Sequence, residues 1–304
     1  MMNTVRTIAN YFLAIETKEG VGAVVRRSIG TARQRNFSPF LLLDHFTVSH
    51  PAGFPDHPHH GQETITYMQK GMLAHEDFTG SKGILYPGDL QFMTAGVGAM
   101  HAEMPVLMEN GDPCVGLQLW VDLPENMKDI EPRYRDLKKA EVPIAHPNNH
   151  LWVKVISGAS YGVESVKELA YTPVEYYQFN SDKKGTAFEQ AVPSNFNVFL
   201  YVTKGAVKIG GKTYPQYSSI FFNVDGTEIR GEVDADGDTE FFIIGGLILD
   251  QPVLQYGPFV EINRDRLAKV FENYQHHTNG FERAAGWRSS IRNGITEKEV
   301  PNHK

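Results

Sequence analysis

Residues 54–60 read Phe54-Pro-Asp-His-Pro-His-His60, and residues 99–105 read Ala99-Met-His-Ala-Glu-Met-Pro105. In an extended chain, side chains two apart point to the same face. His57 and His59 therefore share one face, and His101 and Glu103 share another. Two strand-length segments and the turn Pro87-Gly-Asp89 lie between the pairs. That arrangement lets the chain return antiparallel and bring the pairs together across a small barrel.

The rest of the chain reads the same way. Alternating or apolar runs of strand length occur at 64–68, 117–121, 153–156, 197–202, 219–223 and 240–244. Turn signals separate them at Gly210-Gly211, Asp225-Gly226 and Asp236-Gly237. With 28 Gly and 17 Pro spread over 304 residues, the expected class is all-β. Two segments look helical: a single turn at 124–127, and 263–274 with Asn263 as N-cap and Gly280 beyond its end. Residues 11–15 read as a first strand.

The chain also echoes itself. Tyr67-Met-Gln-Lys-Gly71 recurs as Tyr201-Val-Thr-Lys-Gly205, and Tyr86-Pro87 with Leu90-Gln-Phe92 recurs as Tyr214-Pro215 with Ile220-Phe-Phe222. Two similar β-units in tandem account for this. The expected domains are 1–135 and 136–304, joined through the polar stretch 122–149. Its charge run, Glu131 to Lys139, reads as a solvated connection.

There are 29 Lys+Arg against 36 Asp+Glu, a net charge of −7. Global charge thus argues against direct nucleic-acid or membrane-surface binding. The longest apolar run, 241–250, is far shorter than the roughly 18 residues of a spanning helix. The single cysteine, Cys114, excludes an intramolecular disulfide and thiolate-rich zinc or iron–sulfur sites. It reads as a buried, inert thiol. With no leader pattern and no basic cluster, the cytoplasm is the expected compartment.

Three imidazoles and one carboxylate make a mixed N/O ligand set suited to iron, copper, zinc or nickel. On an octahedral ion such a set leaves two positions open for oxygen or a chelating substrate. Glu63, four residues after His59, competes with Glu103 as the carboxylate. Projected by the repeat, His57 and His59 fall on Ala191 and Pro193, and the counterpart of 101–103 holds no histidine. The second half is therefore expected to be metal-free. Gly96-Val-Gly98 lacks the pattern of a phosphate loop and reads as tight turns near the site. No nucleophile elbow is present. His75-Glu-Asp77 reads as a strand end, and His276-His277 as surface.

At this point several motifs carry a resemblance. Phe54-Pro-Asp-His-Pro-His59, Ala74-His-Glu-Asp-Phe78, Pro87-Gly-Asp-Leu-Gln91, Met93-Thr-Ala-Gly96 and His101-Ala-Glu-Met-Pro105 resemble the pirin family of the cupin superfamily. Gly116-Leu-Gln-Leu-Trp120, Glu131-Pro-Arg-Tyr134, Tyr256-Gly-Pro-Phe-Val260 and Asn279-Gly-Phe-Glu-Arg283 extend the likeness over nearly the whole chain. The resemblance implies two cupin-type β-sandwich domains in tandem, a bicupin packed face to face, with a short C-terminal helix. It implies one non-haem Fe(II) in the first domain, held by His57, His59, His101 and Glu103, and so chooses Glu103 over Glu63. It also implies two roles. One is a quercetin 2,3-dioxygenase-type oxidoreductase, in which a small aromatic flavonol binds the metal and O2 opens its heterocycle. The other is a redox-sensitive transcriptional co-regulator acting in the nucleus through a transcription-factor partner.

In the enzyme reading, Glu103 is the expected catalytic residue, accepting the proton of the substrate hydroxyl. Phe92 and Met93 are candidate pocket walls or simple core. Arg26, Arg27, Arg264, Arg266 and Arg288 are candidates for a basic patch in the partner-binding reading. The chain departs from the family pattern at His60 and Gln62, where Arg and an aromatic residue are common, and at Val97, where Arg is common. These departures are expected to alter rim charge and substrate fit.

Overall fold

The structure is a computed structural model that describes residues 4–19, 22–166 and 169–300. Nearly every element is a strand, as the turn-rich sequence requires. The chain forms two cupin units. One unit comprises the residues through Ile15, 37–39 and Ala140–Ile248; the other comprises Glu16–Asn36, Phe40–Lys139 and the chain from Leu249 onward. Neither unit is one continuous stretch of chain, so a single cut at 135/136 does not describe them.

The unit that carries the histidine motifs has a seven-stranded antiparallel sheet. Its order is Arg133–Leu137, Leu90–Thr94, Gln62–Lys70, Cys114–Asp122, Phe40–Val48, Ala23–Ile29 and Glu16–Glu19. A second sheet centres on Ala99–Leu107, flanked by Phe54–His59 and by Leu73–Asp77, with Lys82–Leu85 beyond the latter. Leu117 and Leu119 on Cys114–Asp122 are fully buried in the core. The residues between them on the same strand, Gln118 and Trp120, face the other way and line a cavity.

The charge run at 131–139 is not a free connection. Residues 133–137 form an edge strand, in which Tyr134 pairs with Met93 and Leu137 with Leu90. An edge strand is hydrogen-bonded on one side only, so it can carry charged side chains without burying them unpaired. The run thus reads as solvated while belonging to the sheet.

In the other unit, Ile8–Leu13 is the edge of a seven-stranded sheet that continues through Ser218–Phe222, Phe196–Lys204, Thr239–Leu247, Val174–Ser181, Leu151–Ser157 and Ile144–Asn148. The internal echo has a structural counterpart here. Tyr67 of Gln62–Lys70 pairs with Leu90, and Tyr201 of Phe196–Lys204 pairs with Ser219. The repeated motif thus marks the same strand pair in each unit. The interior of this second unit is filled by Val153, Tyr177, Phe179, Phe188 and Phe241.

The α-helix spans Arg264–His276. Asn263 caps it by accepting from the Arg266 N–H, and His277 ends it in the left-handed region. Its apolar face packs Val270, Leu267 and Phe271 against Phe259 and Phe281. The turn at 124–127 is a short 3-10 helix, Glu125–Met127.

Candidate metal centre

Strands Phe54–His59 and Ala99–Leu107 run antiparallel, with His57 directly opposite His101 and His59 opposite Ala99. The pairing shifts register between His101 and Glu103, with the extra residue on the Phe54–His59 strand. One ring nitrogen from each of His57, His59 and His101 lies within 4.8 Å of the others. His57 Nε2 and His101 Nε2 are 2.9 Å apart, and Glu103 Oε2 lies 3.9 Å from His101 Nε2. The four residues that the family resemblance implies are thus brought together. Glu63 is not part of this group; its carboxylate accepts from Thr94 Oγ1 at 2.7 Å.

His59, His101 and Glu103 are buried, while His57 is half-buried. Burial holds all three imidazoles below the ordinary histidine range, and their mutual proximity adds to this for His59 and His101. They are therefore neutral, the form that ligates a metal. Burial pushes the Glu103 carboxyl up to about 7, against the opposing effects of His75 and a hydrogen bond from Thr66. Thr66 Oγ1 sits 3.3 Å from Glu103 Oε1, and Gln118 Nε2 sits 3.5 Å from Oε2.

The residues fit a divalent cation. The buried ring nitrogen His59 Nε2 has no hydrogen-bond partner. A buried carboxyl that is costly to ionise alone gains a counter-charge if a cation binds beside it. His57 donates Nδ1–H to the Pro55 carbonyl at 2.9 Å, which leaves its Nε2 unprotonated and facing His101 Nε2.

The site opens onto a cavity of about 340 Å³ lined by His57, Glu103, Gln118, Trp120, Phe46 and Phe54, with Arg27, Asp44 and Glu19 along its wall. The Trp120 ring meets His59 edge-on at 5.1 Å. Phe92 and Met93 are not on this wall. Both are buried in the core, where Met93 packs with Ala95, Ala99 and Tyr134. Sequence reasoning missed Trp120 and Gln118 as pocket residues, although alternation along Gly116-Leu-Gln-Leu-Trp120 separates them from the two core leucines.

Three of the five candidate arginines are held in ion pairs. Arg26 pairs with Glu16 at 2.8 Å. Arg27 pairs with Asp44 at 2.7 Å and Glu19 at 3.1 Å, and Arg266 with Glu261 at 2.8 Å and Asp129 at 2.9 Å. The departures at 60 and 62 are not on the cavity rim either. His60 is buried, with Nδ1–H donating to the Val97 carbonyl at 2.8 Å and Nε2 at 3.0 Å from Glu261 Oε1. Burial would raise Glu261, but hydrogen bonds from His60 and Arg266 hold it down at about 2. Gln62 is fully buried between His59 and Pro258.

The family model described as Pirin matches residues 22–121, and that described as Pirin C-terminal cupin domain matches 176–280. Pirin from Homo sapiens is 40% identical over 298 residues, covering 96% of this chain and 100% of that protein. The chain belongs to the pirin family. A pirin-like protein from Solanum lycopersicum is 40% identical over 288 residues, 93% of this chain and 96% of its own. Among solved structures, a quercetin 2,3-dioxygenase from Acinetobacter baumannii superposes with a TM-score of 0.82 at 25% identity, covering 90% of this chain and 98% of that one. This pirin-family chain therefore shares with that enzyme the fold that carries its candidate centre.

Proposed function

We propose that this pirin-family protein is an iron(II)-dependent dioxygenase of the quercetin 2,3-dioxygenase type, acting on a flavonol-like hydroxylated aromatic. The carrying observation is three neutral imidazoles and a buried carboxyl at one end of a cavity walled by Trp120, Phe46 and Phe54. Its likeness to the Acinetobacter baumannii enzyme supports the reading. His57, His59, His101 and Glu103 would hold the iron, which when bound supplies the one-electron chemistry that lets O2 react with an organic substrate.

The chain's own contributions are positional and protic. The aromatic walls exclude water and bind a flat ring system. The carboxylate of Glu103, which keeps a second oxygen when it ligates through the first, accepts the proton of a substrate hydroxyl. Thr66 and Gln118 donate to its two oxygens and fix its plane. Arg27 is neutralised by Asp44 and Glu19, so the wall selects for polar neutral groups rather than for a carboxylate substrate. Cytoplasmic residence belongs to the same proposal.

Oxygen uptake by anaerobically iron(II)-loaded protein on addition of quercetin tests it, with His59→Ala as control. Uptake that matches quercetin loss, and that vanishes in the variant, is the expected result. No uptake despite one bound iron per chain overturns the quercetinase reading. It leaves the redox-gated co-regulator role, which a pull-down with ferrous and ferric protein then examines.

A further inference from the structure

The three imidazoles differ in what meets their second ring nitrogen. His57 Nδ1–H has an acceptor, the Pro55 carbonyl. His59 Nδ1 instead faces the side-chain nitrogen of Gln62 at 3.0 Å. That same Gln62 Nε2 lies 2.8 Å from the Pro258 carbonyl oxygen. A carbonyl only accepts, so the amide atom beside it is the NH2 group and not the oxygen. An amide NH2 has two hydrogens to give and no lone pair to offer. One hydrogen goes to Pro258, and the other meets His59 Nδ1, which must accept it.

A neutral imidazole that accepts at Nδ1 carries its proton at Nε2. In His59, Nε2 is the nitrogen left over for a metal, and it has no hydrogen-bond partner. A ligating histidine normally donates its other N–H to an acceptor, as His57 does. Reversing the Gln62 amide would supply that acceptor, but it would press Oε1 against the Pro258 oxygen. Pro258 also accepts from the His60 N–H at 3.1 Å, so it can lose the amide hydrogen without being orphaned. The Gln62 Oε1 is itself buried without a partner, so the resting orientation is not optimal.

We infer that Gln62 is a positioning residue that holds His59 in the tautomer whose Nε2 lone pair is withheld, so that metal uptake requires the Gln62 amide to leave the Pro258 carbonyl. This rests on the metal-centre reading above. Glutamine at 62 thus weakens the metal affinity that the ligands alone would give. A glutamate there reverses the bias. Its carboxylate accepts from His59 Nδ1–H, and in the protonated form its hydroxyl serves Pro258 while its oxygen still accepts.

The test begins with the metal-free full-length protein, labelled with nitrogen-15 in its imidazoles and read by NMR. His59→Gln assigns the His59 signals. The expected wild-type spectrum has His59 protonated at Nε2 and bare at Nδ1, with the proton moved to Nδ1 in Gln62→Glu. Iron(II) affinity, measured anaerobically by chelator competition, is expected to rise about tenfold in Gln62→Glu and several-fold in Gln62→Met. His59 protonated at Nδ1 in the metal-free wild type overturns the inference, and so does equal iron(II) affinity in wild type and variants. If Gln62→Met does not fold, the wild-type spectrum and Gln62→Glu decide. Absence of iron binding in every protein sinks the metal reading and with it the inference that Gln62 opposes uptake, whereas equal but measurable affinity overturns the inference alone.

Discussion

Glu103 is the residue whose chemistry depends most on what surrounds it. Its carboxyl ionises near 4.5 in an unfolded chain and at about 7 in the folded, metal-free protein, because burial penalises the charge. Between those values the folded state holds more protons than the unfolded one. Stability contributed by the neutral carboxyl is therefore present below about 4.5 and is lost as pH rises through 7. The full loss is on the order of 3 kcal/mol. Glu103→Gln removes that dependence, so thermal melts of the metal-free proteins should show the variant gaining on the wild type from pH 5 to pH 8. A gap that stays constant with pH would show that Glu103 is ionised throughout. The histidine ligands could be picked from sequence because few residue types ligate metals and their spacing puts them on shared faces. The pocket walls could not, since Phe46, Phe54 and Trp120 are ordinary strand aromatics until a register brings them around one cavity. The side of Gln62 that meets His59 was equally invisible, because Pro258 lies far away in sequence.

At the scale of elements, the joint between Phe54–His59 and Gln62–Lys70 sets the site. Gly61 makes the turn with a φ of +71°, and a Cβ there would sit 2.1 Å from the Val260 carbonyl oxygen. Its N–H donates to the Gly96 carbonyl at 2.8 Å, and its own carbonyl accepts from the buried Lys128 Nζ at 3.0 Å. A side chain at this point must push the backbone carrying His59, His60 and Gln62. Gly61→Ala is expected to lower stability by at least about 1–3 kcal/mol in chemical denaturation, and to reduce bound iron per folded chain. Wild-type stability and iron content would show that the turn relaxes elsewhere. Strands were the most legible part of this molecule, since alternation and turn residues mark them directly. The exception is instructive: Arg133–Leu137 pairs along one edge only, and its charges hide a strand whose neighbour, Leu90–Thr94, is easily read.

For the whole molecule, the sequence displays two halves, whereas the structure assembles two units, neither of which is one continuous stretch of chain. The repeat revealed that there are two β-units, because the echoed tyrosine motif marks a strand pair within each. It could not reveal which terminal segment completes which unit, since Ile8–Leu13 and the chain beyond Leu249 carry no echo. The unit with the candidate centre needs that late segment. Val260 pairs its backbone with His60, and the isolated bridge from His60 to Phe259 holds the segment in register. Lys128, fully buried, donates to Asp122 at 2.6 Å and lies 3.4 Å from the Val260 carbonyl, while Gln251 donates to the other Asp122 oxygen at 2.8 Å. Glu261 takes the hydrogen bond of His60, and Pro258 that of Gln62. A fragment ending at residue 135 keeps all four proposed ligands and the Lys128–Asp122 pair but loses Gln251, Pro258, Phe259, Val260 and Glu261. It exposes a buried ion pair and leaves His60 and Gln62 unsatisfied, penalties of about 1–3 kcal/mol for each orphaned group. Such a fragment is expected to be largely unfolded by circular dichroism and to bind no stoichiometric iron(II), while the full chain binds one. A fragment that melts cooperatively and binds one iron would show that the four ligands and their two strands suffice without the distant segment.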